Sequence, residues 1–219
     1  ISSATPPPGD PGSSIEIAGY HFPIGGDVVG NNRGGTPFWD LLAAEGVDVE
    51  VYRIPGNYTV PDSEAKVLSG MGTVDMRGGY GVYTWFSDQV ISGRNEIKGD
   101  IQLVTVQDSD LDGIPDSARG TLKGPPDIFH LEPGKSPGPN DYLTAAVDFW
   151  LDPFADAVLI EANGARALLQ EGEWSPWMTL SFDALPGGMM PFEGAVRFYA
   201  KELRPGFVVY ASPVNISPA

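Results

Sequence analysis

The chain has 219 residues, enough for one sizeable domain or two small ones with a real core. Its 13 Lys and Arg stand against 29 Asp and Glu, a net charge of -16, which argues against nucleic acid because phosphate binding needs a basic footprint. The absence of cysteine excludes disulfides and thiolate metal sites, and no apolar run is long enough to span a membrane.

Residues 1–14 are Pro, Gly and Ser with almost no apolar content and read as a linker. The chain opens Ile1-Ser2-Ser3 without a basic, apolar leader, so it is read either as a processed protein or as a piece of a longer one. From residue 15 to 219 a single β-rich domain is expected. Ile15 to Phe22 reads as a short strand, and Gly25 to Gly35 as plain loop, since it lacks the Lys and flanking strand of a phosphate-cradling loop.

The clearest helix runs over 36–45. Thr36 is placed to cap it, Pro37 suits the first helical position and Asp40 sits near the positive dipole end. Phe38, Leu41 and Leu42 share the face expected to pack, and Gly46 suits a left-handed cap. Val47 to Ile54 follows as a strand, which makes one short α/β unit near the N-terminus.

After Pro55 the pattern becomes antiparallel β. Tyr80, Val82, Thr84 and Phe86 alternate with other residues, and so do Ile101, Leu103 and Thr105 within a strand over 97–106. Leu143, Ala145, Val147, Phe149 and Leu151 give the longest alternation. Val158 to Ala162 and Ala165 to Leu169 flank Asn163-Gly164, a strong two-residue hairpin signal. Met178, Leu180 and Phe182 mark another strand, with Ala195 to Leu203 and Phe207 to Tyr210 as the last pair. The 28 glycines and 21 prolines suit such a loop-rich protein, and the fold class expected is mainly β, an antiparallel sandwich or open barrel.

One stretch carries chemistry. Asp108-Ser109-Asp110-Leu111-Asp112-Gly113-Ile114-Pro115-Asp116 puts carboxylates at loop positions one, three, five and nine and glycine at six. Ca²⁺ takes about six to eight oxygens, odd positions of a tight loop point inward, and Gly permits the sharp turn. The expected ligands are Asp108, Asp110, Asp112 and Asp116 with the Ile114 backbone carbonyl, in a hairpin over 101–122 whose return strand is Ala118 to Leu122. The loop resembles the acidic calcium loops of thrombospondin type 3 repeats. It departs from an EF-hand at position twelve, which is Arg119 rather than Glu. The bland alternative is a solvated acidic hairpin tip.

Two further groups of segments carry a resemblance. Gly35-Thr36-Pro37-Phe38-Trp39, Val51-Tyr52-Arg53-Ile54-Pro55, Leu68-Ser69-Gly70-Met71-Gly72 and Asp75-Met76-Arg77-Gly78 form the first. Gly172-Glu173-Trp174-Ser175-Pro176-Trp177, Val196-Arg197-Phe198-Tyr199 and Tyr210-Ala211-Ser212-Pro213-Val214-Asn215-Ile216 form the second. Over roughly 20–216 the chain resembles the β-rich middle region of alkaline phosphatase superfamily proteins of the type I phosphodiesterase and nucleotide pyrophosphatase sort. The resemblance implies a parent that hydrolyses phosphate esters with two metal ions and a Thr or Ser nucleophile. With only His21 and His130, and no nucleophile beside a ligand set, no catalytic position carries over.

His21 and His130 read as packed or rim histidines. Trp150, Trp174 and Trp177 are expected in the core, with a sugar-stacking platform as the alternative. Asp148, Asp152 and Asp156 read as solvated carboxylates, and Asn57-Tyr58-Thr59 and Asn215-Ile216-Ser217 fit the N-glycosylation pattern. The reading is a non-catalytic, calcium-stabilised β domain, extracellular or periplasmic. Its partners would be the remainder of a larger enzyme or copies of itself. The rival readings are a free-standing extracellular adhesive protein or filament subunit, and a carbohydrate-binding module.

Overall fold

The computed structural model describes residues 14–24, 34–55, 57–58, 60, 62–70, 73–90, 99–132, 134–152 and 154–216. The linker 1–14 therefore lies, but for Ser14, outside the described residues, as does most of the loop 25–35. The chain divides into two compact units where the sequence suggests one domain: Ile1–Thr73 with Glu132–Lys135, and Val74–Leu131 with Ser136–Ala219.

The first unit opens with a hairpin. β1 (Ser14–Ile17) and β2 (Tyr20–Pro23) pair antiparallel across Ala18 and Gly19. Both turn residues have positive φ, 54° and 83°, the two-residue turn whose twist matches the strands. The single strand expected over Ile15 to Phe22 is thus two.

The α/β unit follows as α1 (Phe38–Ala44), β3 (Glu50–Ile54) and β4 (Lys66–Ser69), with β3 and β4 parallel. The helix cap is Pro37, with no side-chain bond from Thr36, and Gly46 takes the left-handed conformation at φ 78°. The buried face is not the expected one. Trp39 is 5% exposed and packs with Val51, Ala65 and the partly buried Ala43, whereas Phe38 is 62% and Leu41 58% exposed. Both faces of this short helix are apolar, and the one bearing the large indole turns to the strands because it removes the most apolar area from water. Asp40 accepts a hydrogen bond from the Ser63 hydroxyl at 2.5 Å, which ties the helix to the segment entering β4.

Among the described residues the second unit holds three sheets. Its strands are β5 (Thr84–Ser87), β6 (Asp100–Leu103), β7 (Ser117–Pro126), β8 (Tyr142–Asp152), β9 (Ala157–Ala162), β10 (Ala165–Gln170), β11 (Met178–Leu185), β12 (Met189–Val196), β13 (Phe198–Glu202), β14 (Val208–Ala211) and β15 (Asn215–Ile216). They are ordered β10-β9-β8-β7, β13-β14-β5-β6 and β11-β12-β15, all antiparallel except β5 with β6. Among the described residues no sheet closes on itself, which is consistent with a β-rich sandwich and not a closed barrel.

Alternation explains the core. Along β8, Leu143, Ala145, Val147 and Phe149 are buried while Thr144, Ala146 and Trp150 face out. Phe149 meets Phe86 of β5 at 5.1 Å and Phe207 at 5.2 Å between ring centres, which joins two sheets. β7 approaches closely because its inward positions include Gly120 and Gly124. A Cβ on Gly120 would stand 2.5 Å from the Phe86 ring, and one on Gly124 would strike Phe182 of β11.

Three expected strands differ. The strand starting at Tyr80 begins only at Thr84, because buried Asp75 accepts the backbone N–H groups of Arg77, Gly79, Gly81 and Val82 at 2.8–3.0 Å and curls 77–82 into a loop. Of the strand expected over 97–106, residues 97 and 98 lie outside the described residues and the rest gives β6 alone; its buried neighbour is Val104, while Leu103 and Thr105 face solvent. The strand over Ala195 to Leu203 breaks at Arg197, where the chain leaves the sheet of β12 for that of β13.

Candidate metal centre

The acidic loop is not the tip of a β6–β7 hairpin. β6 runs parallel to β5 and β7 pairs with β8, so the loop carries the chain from one sheet to another. One bridge closes its stem: Gln107 N–H donates to Ser117 at 2.7 Å, and Ser117 N–H donates back at 2.9 Å.

Within that stem the structure brings Asp108, Asp110 and Asp112 together. One carboxylate oxygen from each lies within 4.8 Å of the others. The turn is made by Leu111 and Gly113 at positive φ, 64° and 92°, so glycine at position six serves the conformation its spacing implied. Backbone N–H groups orient the carboxylates. Asp108 accepts from Asp112 at 3.2 Å and Gly113 at 2.6 Å, and Asp112 accepts from Ile114 at 2.8 Å. An ionised carboxylate offers several lone pairs, so these contacts leave acceptor capacity for a hard cation.

Asp116 stands apart from the three. Its two oxygens accept from Ser109, the backbone N–H at 2.8 Å and the hydroxyl at 2.6 Å. Those bonds, the hydroxyl's first, hold its carboxyl below the usual carboxylate range. Ile114 is exposed beside the turn.

The remaining candidates scatter. His21 lies half-buried on β2, and His130 places Nδ1 2.7 Å from Asp127. Asp148 is not simply solvated: Arg119 donates to it from Nε at 2.6 Å and from Nη2 at 3.1 Å. Asp152 caps the N–H of Phe154, and Asp156 stands 3.7 Å from Arg204. Asn57 is fully buried, so in this fold it offers no glycan acceptor, whereas Asn215 is exposed.

Trp150, Trp174 and Trp177 are surface residues rather than core, at 43%, 47% and 58% exposure. Trp174 lies 5.1 Å from Tyr199 and 5.7 Å from Tyr210, and the Arg197 guanidinium covers Trp174 and Trp177 at 5.3 and 5.8 Å. Trp150 belongs elsewhere, on the outer face of β8. The alternation of Trp150 with buried residues along β8 signals its orientation; nothing in the sequence signals the Arg197 stack.

Asp75 is the polar centre that sequence reasoning missed. Its signal is an aspartate followed by the glycines at 78, 79 and 81, a run able to turn N–H groups toward one carboxylate. No helix among the described residues is long and apolar enough to cross a membrane. Comparison with protein families, with curated proteins and with solved structures finds no match to this chain in any of the three.

Proposed function

We propose that this chain is a non-catalytic β domain whose acidic loop is stabilised by Ca²⁺, working within an alkaline phosphatase superfamily phosphodiesterase. The observation that carries the calcium reading is the convergence of Asp108, Asp110 and Asp112 on one point at the stem joining two sheets. Without a cation those carboxylates repel one another; with it the repulsion becomes coordination, completed by backbone carbonyl and water. The superfamily relation rests on the quoted segments alone. A non-catalytic role is supported by a donor set of aspartates with no histidine or nucleophile among them.

Calorimetric titration with CaCl₂ is expected to show one site in the range of about 10⁻⁴–10⁻³ M, as extracellular modules do. Absence of saturable heat up to several times that range removes calcium from the proposal. The chain with added zinc is expected not to hydrolyse nitrophenyl phosphate esters, and turnover that survives repurification overturns the non-catalytic role. The intact mass of the native gene product tests the relation: a much larger product with flanking metal motifs supports it, and a small secreted product favours the adhesive reading.

A further inference from the structure

A groove of about 530 Å³ opens beside the acidic loop, within the second unit. One wall is Leu103 at the end of β6 with Val104, Thr105 and Gln107 after it; the other is Ser117 to Arg119 of β7 with Asp148 and Trp150 of β8 beside it. Two contacts pin them together. At one end lies the Gln107–Ser117 bridge; at the other, Thr121 N–H donates to Gln102 Oε1 at 2.5 Å while Gln102 Nε2 donates to the Thr121 carbonyl at 3.2 Å. Closed at both ends by these contacts, the groove has room for a small molecule or one unit of a polymer. Its volume lies in the range of ligand sites, roughly 300–1,000 Å³.

The lining says which chemistry fits. Arg119 and Asp148 are cross-strand partners and form a two-bonded ion pair, and Trp150, two residues along β8 from Asp148, presents its ring on the same outer face. Thr105 and Gln107 add exposed donors and acceptors. The guanidinium keeps N–H groups beyond those given to Asp148, and the carboxylate keeps lone pairs on both oxygens. The lining is therefore rich in donors and acceptors yet carries no net charge. An anion finds its guanidinium already neutralised, on a chain of net charge -16; a cation finds the carboxylate likewise taken. A purely apolar ligand would bury the ion pair at a cost. What remains is a neutral molecule with hydroxyls for the pair and a C–H face for the indole.

We infer that the groove of Arg119, Asp148 and Trp150 is a binding site for a neutral saccharide. The full chain, in millimolar calcium, is titrated with cellohexaose, mannohexaose, xylohexaose and chitohexaose, with hexagalacturonate as the anionic comparison, and followed by calorimetry and tryptophan fluorescence. At least one neutral hexamer is expected to bind with a Kd of about 1 mM or tighter. Trp150→Ala and Arg119→Gln, each with an unchanged melting temperature, are expected to weaken that binding at least about tenfold. Should Trp150→Ala fail to fold, Arg119→Gln, at an exposed side chain, carries the test. The inference is overturned if no neutral hexamer gives a saturable signal, if only hexagalacturonate binds, or if the variants bind as the unmodified chain does.

Discussion

Asp116 accepts two hydrogen bonds from Ser109, the backbone N–H at 2.8 Å and the hydroxyl at 2.6 Å. The loop thereby separates its four aspartates into three that converge and one that braces the turn. For Asp116 to join a calcium ion as its spacing suggests, the carboxylate held by Ser109 must come to the point where the other three converge.

Ser109→Ala should raise the Asp116 pKa toward the ordinary carboxylate range, read by NMR titration of its side-chain carbonyl. The folded carboxyl titrates below its unfolded value, so the unfolded chain binds the proton more tightly. The stabilisation from this contact is complete above the unfolded value and is lost as pH falls through the lowered folded value. Identical Asp116 titrations in the variant and the unmodified chain contradict the assignment.

Chelation should lower the melting temperature, and Asp110→Ala combined with Asp112→Ala should abolish that sensitivity. Calcium bound only to the native state stabilises it by about 2.7 kcal/mol at a hundredfold excess over the dissociation constant. Equal melting of the unmodified chain in chelator and in millimolar calcium would mark the loop as an ordinary acidic turn.

Asp75→Ala should be among the most damaging polar substitutions in the second unit. The carboxylate is buried and receives four backbone N–H groups, which the variant would leave without their acceptor. Hydrogen bonds to a charged group contribute about 1.5–3 kcal/mol each, with partial recovery by water, so a loss of about 3 kcal/mol in denaturant unfolding is expected. A change below about 1 kcal/mol would mean the loop 77–82 holds itself.

Gly120→Ala and Gly124→Ala should each destabilise by about 1–3 kcal/mol through overpacking. The added Cβ meets the Phe86 ring in one case and the Phe182 ring in the other, both fully buried. Equilibrium unfolding measures the effect, and neutrality at both positions would mean the sheets separate readily. Restoring space with Phe86→Leu in the Gly120→Ala background should return part of the loss, a coupling that independent sites do not show.

The sequence by itself determined what depends on near neighbours. Period-two alternation placed Leu143, Ala145, Val147 and Phe149 inward and Met178, Leu180 and Phe182 likewise, because successive side chains of a strand must point to opposite faces. Asn163-Gly164 gave its hairpin, Gly46 its left-handed cap and Gly113 its turn, because each needs positive φ. Only the tertiary structure decided which strand lies beside which. β6 has the pattern of a strand but nothing in its residues names β5 rather than β7 as partner, so the loop links two sheets instead of capping a hairpin. The same holds for α1, where Trp39 and not Phe38 turns inward once β3 and β4 are in place. It holds too for Asp116, whose spacing fits a metal but whose oxygens meet Ser109 first, and for Arg119, Asp148 and Trp150, brought to one groove by a β7–β8 register that no local pattern contains. Local conformation is set by backbone sterics over a few residues; pairing and burial are set by competition among all the apolar surfaces of the chain.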